Sequence, residues 1–271
     1  MAHPQIAAFA RLAKGGDAPK RVIAGQATRL SRTMHDIRYN EVRDEFLVGN
    51  PFAQAILTFR GAANGDEPPV RTIIGPKTHL QTPDNLEIDT VHKEIFVPEA
   101  EGVLVLPLEA NGDVAPLRTV HGANWDASAV AVDPIHNVLV VSGSYGKGKD
   151  RETALLVFNR TDNGEVEPKG VIKGPKTGLK GIRQIQVYPP KGWIVISQIT
   201  AGDIAEPQGT FVGVWSINDK GDVPPRWMIP GKPSTVMKKP RGVVLNPRHK
   251  EVIVSDMRLN AVLTYYFPEI F

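Results

Sequence analysis

The sequence predicts an all-β fold, a β-propeller of four-stranded blades, from two observations. A phrase of glycine and acid, proline, a short β-rich stretch and a closing glycine recurs along the chain, opening at Gly16-Asp17, Gly65-Asp66, Gly112-Asp113, Gly164-Glu165 and Gly221-Asp222 and closing at Gly25, Gly75, Gly122, Gly174 and Gly231. The period of roughly 50 residues is that of one supersecondary unit stacked on copies of itself. Between copies lie three further apolar segments, each of strand length and too short for an independent helix. Each unit therefore holds four strands, A to D.

The A strands begin near Ile37, Leu86, Ala129, Ile185 and Val243, and most alternate or run apolar, as inner strands should. A polar turn follows, opened by Asn40, Asp89, Asp133, Tyr188 or Asn246, and leads into B strands such as residues 94–97 and 252–255. These are tight hairpins. The C strands cover residues 56–59, 103–106, 155–158, 211–217 and 262–267, and the first four lead through the glycine-acid turn into D strands such as Arg71–Ile74. Glycine supplies a positive φ there, the acid bonds locally and proline blocks premature ladder pairing. The repeated phrase thus reads as a C-to-D turn with its outer strand.

Spacing sets the blade number at five, with six including one incomplete blade as the alternative. The N-terminal strand Arg21–Ala24 is expected to close the ring as D strand beside the C-terminal A, B and C strands, while residues 5–11 resemble another C strand and compete with residues 262–267 for one slot. Closure removes edges that would otherwise template aggregation. The repeats make residues 1–271 one domain.

Composition is that of a soluble globular protein, 41% hydrophobic and 23% charged, with no apolar run long enough for a membrane helix. The formal charge of +3 is spread among alternating acids and bases, which argues against nucleic acid as a partner. The absence of cysteine excludes disulfides, thiolate metal sites and cysteine nucleophiles. Met1-Ala2-His3-Pro4-Gln5 opens no signal peptide, so the location expected is cytoplasmic, or periplasmic or secreted if a leader has been removed.

The segment Val254-Ser255-Asp256-Met257-Arg258-Leu259-Asn260-Ala261-Val262-Leu263-Thr264-Tyr265 resembles the NHL and YVTN type of β-propeller repeat, in which a small apolar strand ends in an acid, a polar loop with asparagine follows and the next strand carries an aromatic. Looser versions occur in every unit. The resemblance implies the broad TolB-like propeller superfamily, which holds binding modules alongside gluconolactonase-like and paraoxonase-like calcium enzymes. The gluconolactonase-like family holds its calcium with a glutamate, two asparagines and an aspartate. This chain has Ala129 and Gly242 where some blades would supply such groups.

With A leaving one face and B returning to it, the D-to-A and B-to-C loops share a face, and function is expected there because loops on a rigid scaffold carry binding groups. Its longest B-to-C loops are residues 143–153, with Gly146-Lys147-Gly148-Lys149, and residues 200–209, with Asp203 and Glu206. The first lacks the spacing of a phosphate-binding loop and reads as a flexible rim.

At the mouths of the A strands stand His35-Asp36, Asp84-Asn85, Ser128-Ala129, Arg183-Gln184 and Arg241-Gly242; the B strands exit at Asn50, Glu99, Ser142, Gln198 and Asp256. Carboxylate and amide oxygens suit a hard cation such as calcium, for which Asp36, Asn85, Glu99 and Asp256 are the candidate ligands. The plainer alternative is a polar, water-filled channel without a metal. His35 is the candidate general base, or else a turn cap. Trp125, Asp84, Arg183 and Arg241 are the candidate ligand-binding groups: an aromatic wall, an acid, and a guanidinium pair able to clamp a carboxylate or phosphate. The leading expectation is a binding module for a small polar molecule or a protein segment, and the alternative is a calcium-dependent hydrolase or lactonase.

Overall fold

The computed structural model describes residues 4–199 and 209–271. The fold is all-β and of the β-propeller class, its blades antiparallel in the expected A-B-C-D order. Strands β1 (Gln5–Ala8) and β2 (Arg21–Ala24) pair with each other. Blade one comprises β3 (Ile37–Asn40), β4 (Glu45–Asn50), β5 (Ala55–Arg60) and β6 (Arg71–Ile74); blade two comprises β7 (Glu87–Asp89), β8 (Glu94–Glu99), β9 (Gly102–Pro107) and β10 (Arg118–His121). Blade three is β11 (Ala129–Asp133), β12 (Val138–Tyr145), β13 (Glu152–Asn159) and β15 (Gly170–Ile172), while the short β14 (Gly164–Glu165) between them joins β10. Blade four is β16 (Ile182–Tyr188), β17 (Trp193–Gln198), β18 (Phe211–Ser216) and β19 (Trp227–Pro230), and blade five has three strands, β20 (Pro240–Asn246), β21 (Glu251–Asp256) and β22 (Ala261–Tyr266).

One pairing differs from expectation. The ladder of Arg21–Ala24 runs with Gln5–Ala8, from Gln5 opposite Ala24 to Ala8 opposite Arg21, so the segment expected to compete for the C-terminal slot is its hydrogen-bonded partner. Both segments are short apolar runs, and the twelve residues that join them close a far smaller loop than a pairing of Arg21–Ala24 with the C-terminal strands would, which favours the local pairing.

Two compact units make up the chain, Met1–Ile95 with Leu106–Leu117 and Phe96–Val105 with Arg118–Phe271. In the first, Ile23, Phe46, Val48, Leu57 and Phe59 form the core, with the Phe46 and Phe59 rings stacked at 5.3 Å. In the second, one core lies around Val140, Leu155, Ile185, Ile196 and Trp215, and another around Leu139, Val141, Leu156 and Phe158. Alternation along each strand sends successive side chains to opposite faces, so one blade feeds two cores.

Three of the A-to-B hairpins are fixed by their opening polar residue. Oδ1 of Asp89 accepts from Val91 N and His92 N, both at 2.9 Å, and Oδ1 of Asp133 accepts from Ile135 N at 3.0 Å and His136 N at 2.9 Å. Asn40 does the same for Val42 and Arg43. His92 and His136 turn back onto these same acids through Nδ1, at 2.7 and 2.8 Å.

The glycine-acid phrase is more than a turn. Gly65 lies in a parallel bridge to Ile23, Gly112 to Ile73, Gly164 to Val120 and Gly221 to Ile172, so each C-to-D turn docks on the D strand of the preceding repeat. These glycines hold φ between +64° and +83°, which side-chain-bearing residues adopt at a cost. The acid completes the latch: Asp66 Oδ1 accepts from Ala27 N, Asp113 Oδ1 from Lys77 N and Asp222 Oδ1 from Lys176 N, each at 2.7 Å. The asparagine before the glycine adds a third contact, Asn64 to Val22 N at 3.1 Å and Asn111 to Thr72 N at 2.9 Å. The closing glycine is bare because the acid stands where its Cβ would be: Gly25, Gly75 and Gly174 lie over Asp66, Asp113 and Asp222 with φ of +131°, +131° and +122°.

Asp113→Ala is expected to cost about 1.5 kcal/mol, the low end for a charged hydrogen bond because the carboxylate is exposed. Gly75→Ala is expected to cost more, about 2 kcal/mol, since it adds strain at positive φ to the overlap. The double variant removes the overlap with the carboxyl group and leaves the Cβ contact and the strain, so urea unfolding should show it less destabilised than the sum; additivity would refute the latch.

A bidentate pair also spans blade one, with Arg71 Nη1 and Nη2 at 2.9 and 2.6 Å from the two oxygens of Glu45. The Arg71 hydrogen bonds hold the Glu45 carboxyl below its ordinary 4.5. A folded-state value below the unfolded one contributes stability that is full above about pH 4.5 and lost as pH falls through the folded value. The Glu45→Gln/Arg71→Gln double-mutant coupling should therefore be present at pH 7 and shrink by pH 3; a pH-independent coupling would contradict the assignment.

Candidate functional site

The polar residues at the B-strand exits are buried, and their hydrogen bonds point to the loops rather than to open space. In the first unit Asn50 donates through Nδ2 to Arg29 O at 2.9 Å and accepts the Ser31 hydroxyl. In the second, Ser142 meets Ser128 through both hydroxyls at 3.0 Å, and Gln198 accepts from Lys180 N at 2.9 Å while donating to Gly209 O at 3.3 Å. Asp256 accepts four backbone N–H groups, those of Lys238 and Lys239 on Oδ2 at 2.7 and 3.0 Å and those of Arg258 and Leu259 on Oδ1 at 3.0 Å each. Each of these side chains staples the D-to-A loop of its own blade to the end of its B strand. Glu99, at the same position of blade two, is buried as well.

Among the described residues no three His, Asp or Glu side chains converge as a set able to hold a metal ion. Of the four candidate calcium ligands, Asp256 is committed to backbone N–H groups and Asp36 to an ion pair. Asn85 is half-buried at the mouth of blade two.

That ion pair is buried within the first unit. Arg38 Nη1 bonds Asp36 Oδ1, and Arg38 Nε lies 3.1 Å from Glu87 Oε1. Asp36 also accepts from Ile37 N at 2.9 Å and Leu86 N at 3.1 Å, tying the A strand of blade one to that of blade two. Burial alone would lower the Arg38 pKa, yet Asp36 and Glu87 together raise it; burial pushes the Glu87 carboxyl up, against the pull of Arg38. The guanidinium is thus locked in its charged form.

His35 and Asp84 come together at the same mouth, Nδ1 against Oδ1, with side chains 35% and 40% exposed. A carboxylate on Nδ1 fixes the proton there and leaves Nε2 as the basic nitrogen. Sequence reasoning named both residues and did not pair them; they lie in different repeats.

The second unit carries a different arrangement. β12 and β13 stay paired out to Tyr145 opposite Glu152, so the rim expected to be a long flexible loop is a tight hairpin over residues 146–151. Glycine and lysine hide the continuing strand pattern there. Arg151 Nη2 reaches Asp126 Oδ2 at 2.6 Å, Gly146 N donates to Asn124 O at 2.8 Å, and Lys173 Nζ donates to Asp150 O at 3.2 Å. The hairpin is therefore tied to the D-to-A loops on both sides. Trp125, expected as an aromatic wall, is buried at 4% exposure, donates its indole N–H to Val166 O at 2.9 Å and packs 4.8 Å from Phe158. Arg183 and Arg241 are both half-buried; beside them Gln184 Oε1 accepts from Val243 N at 2.6 Å and Ser197 donates to Arg241 O at 3.2 Å. Of the second long loop, residues 200–208, with Asp203 and Glu206, lie outside the described residues.

No protein-family model and no curated protein matches the chain. Among solved structures it is similar to hydrazine synthase of Kuenenia stuttgartiensis, at 13% identity and a TM-score of 0.55, over 82% of this chain and 55% of that one. The chain thus spans about half the length of that protein, and the likeness is one of fold. No helix among the described residues is long and apolar enough to cross a membrane.

Arg38→Met should destabilise the protein by about 3 to 5 kcal/mol, because it strands two buried carboxylates. The triple variant Asp36→Asn/Arg38→Met/Glu87→Gln should recover part of that loss in urea unfolding. Equal instability of the two would show that packing, and not uncompensated charge, sets the cost.

Proposed function

We propose that the protein is a β-propeller binding module that holds a small polar molecule or a protein segment on the face of its D-to-A and B-to-C loops. The observation that supports this most is a division of labour between the blade ends. At the C-to-D end the same glycine bridge repeats from blade to blade, which is scaffold. At the other end the buried polar groups staple the loops, and the exposed groups above them differ by blade: His35 with Asp84 in the first unit, Asp126 with Arg151 in the second. Rigid loops presenting blade-specific charged groups suit recognition, since little ordering entropy is lost on binding.

Thermal unfolding against citrate, phosphate, glutamate and glucose 6-phosphate tests the small-molecule form. A ligand at tenfold its Kd adds about 1.4 kcal/mol of stability. At least one probe should raise the Tm, and His35→Ala/Asp84→Ala or Asp126→Ala/Arg151→Ala should abolish the rise. A rise that survives both pairs, or none with any probe or with an acidic peptide, would overturn the reading.

A second reading is favoured by one contact. With Asp84 on Nδ1, His35 has the geometry of a general base, as a hydrolase or lactonase requires, with calcium as the candidate cation. Hydrolysis of lactones or aryl esters, stimulated by calcium and lost in a folded His35→Ala variant, would establish it in place of pure binding; no turnover with or without calcium would remove it.

A further inference from the structure

The chain's positive charge is gathered in two segments that the fold ties together. Residues 145–152 and 173–180 carry six basic side chains, Lys147, Lys149, Arg151, Lys173, Lys176 and Lys180, against Asp150 and Glu152, a formal +4. The whole chain carries +3, so everything outside these segments is nearly neutral. The segments are joined by Lys173 Nζ to Asp150 O at 3.2 Å and by Thr153 Oγ1 to Lys180 O at 3.0 Å. This concentration is invisible along the chain, where each segment reads as a scatter of lysines.

Two of the six are already engaged. Arg151 pairs with Asp126, and Lys173 lies over the Tyr145 ring at 5.8 Å while holding Asp150 O. Lys147, Lys149, Lys176 and Lys180 are exposed, and none of their ammonium groups has an ion-pair or hydrogen-bond partner among the described residues. Their backbones are fixed: the 146–151 hairpin by its ladder, and Lys176 by Asp222, which accepts its N–H at 2.7 Å. Four unneutralised cations on a rigid rim form a positive field that draws an anionic partner.

We propose that this rim docks an acidic segment of a partner protein, which deepens the binding reading above and rests on it. Other polyanions fit less well. Single-stranded nucleic acid is held by exposed aromatic platforms, and here Tyr145 lies under Lys173 and Trp125 is buried. A membrane surface is gripped by basic groups together with apolar side chains that insert, and neither segment exposes a large hydrophobic residue. Lysine ammonium groups meet Asp and Glu side chains along an extended peptide as separate point charges and need no bidentate geometry.

The test is fluorescence anisotropy of a fluorescein-labelled octaglutamate peptide against the full chain at 20 and 150 mM NaCl. The unmodified protein should bind, more weakly at the higher salt. The variant Lys147→Glu/Lys149→Glu/Lys176→Glu/Lys180→Glu should bind at least tenfold more weakly while unfolding at the same temperature, and the corresponding Lys→Gln quartet should be intermediate. A control with four exposed lysines reversed elsewhere, Lys14→Glu/Lys20→Glu/Lys191→Glu/Lys250→Glu, should lose far less. Equal loss in rim and control variants would reduce the effect to net charge and overturn the proposal, as would tighter rim-dependent binding of a single-stranded DNA of matched charge. If the peptide fails to bind while a small-molecule Tm rise dependent on His35 and Asp84 persists, the acidic-partner inference falls and the binding reading stands.

Discussion

The fold depends on a latch between neighbouring repeats: a glycine in the C-to-D turn bridges in parallel to the previous D strand, and an aspartate beside it caps the chain just beyond that strand's closing glycine. Each part constrains the others. The turn glycine must reach positive φ, the closing glycine must lack a Cβ, and the acid must be short enough to stand in the space so left. The repeat with Gly164-Glu165 shows the constraint by breaking it. There the place of the closing Gly122 Cβ is taken by the Trp125 indole, which donates to Val166 O, and Asn124 donates to Glu167.

The same dependence explains which parts of the fold were legible in the sequence. Strands, hairpins and the order of blades follow from local patterns: alternation, an Asx residue before a tight turn, glycine with acid. Pairings between repeats do not. Asp113 and Lys77, or His35 and Asp84, are separated by most of a repeat, and nothing local distinguishes an acid that caps a neighbour from one that faces water. The pairing of Gln5–Ala8 with Arg21–Ala24 was missed for the converse reason, since the repeat logic assigned the strand to a distant sheet when a nearby partner was available.

At the candidate site the sequence pointed to positions whose side chains prove to be buried, and residue type left open what they hold. Asn50, Ser142, Gln198 and Asp256 carry the oxygens that a cation or a sugar would want, and residue type cannot reveal that a loop's own N–H and C=O groups use them. Buried polar groups need partners, and for Asn50, Ser142, Gln198 and Asp256 a D-to-A loop entering the blade supplies them. The recurrence of polar residues at this register is therefore explained by the recurrence of the loop.

That separation gives a criterion for function that the residue types do not. A side chain whose lone pairs or protons are already taken by backbone, as in Asp256 with its four N–H groups, can leave that role only by releasing a loop. The Asp36–Arg38–Glu87 cluster is similarly fixed, because drawing any one charge toward a ligand would leave the others buried without compensation. Groups that can meet a partner without such loss are those standing above the stapled layer: the half-exposed His35 and Asp84, and the lysines of the rim. The buried layer sets their positions, and its rigidity lets a handful of exposed charges act as a defined surface rather than as mobile side chains on a flexible loop.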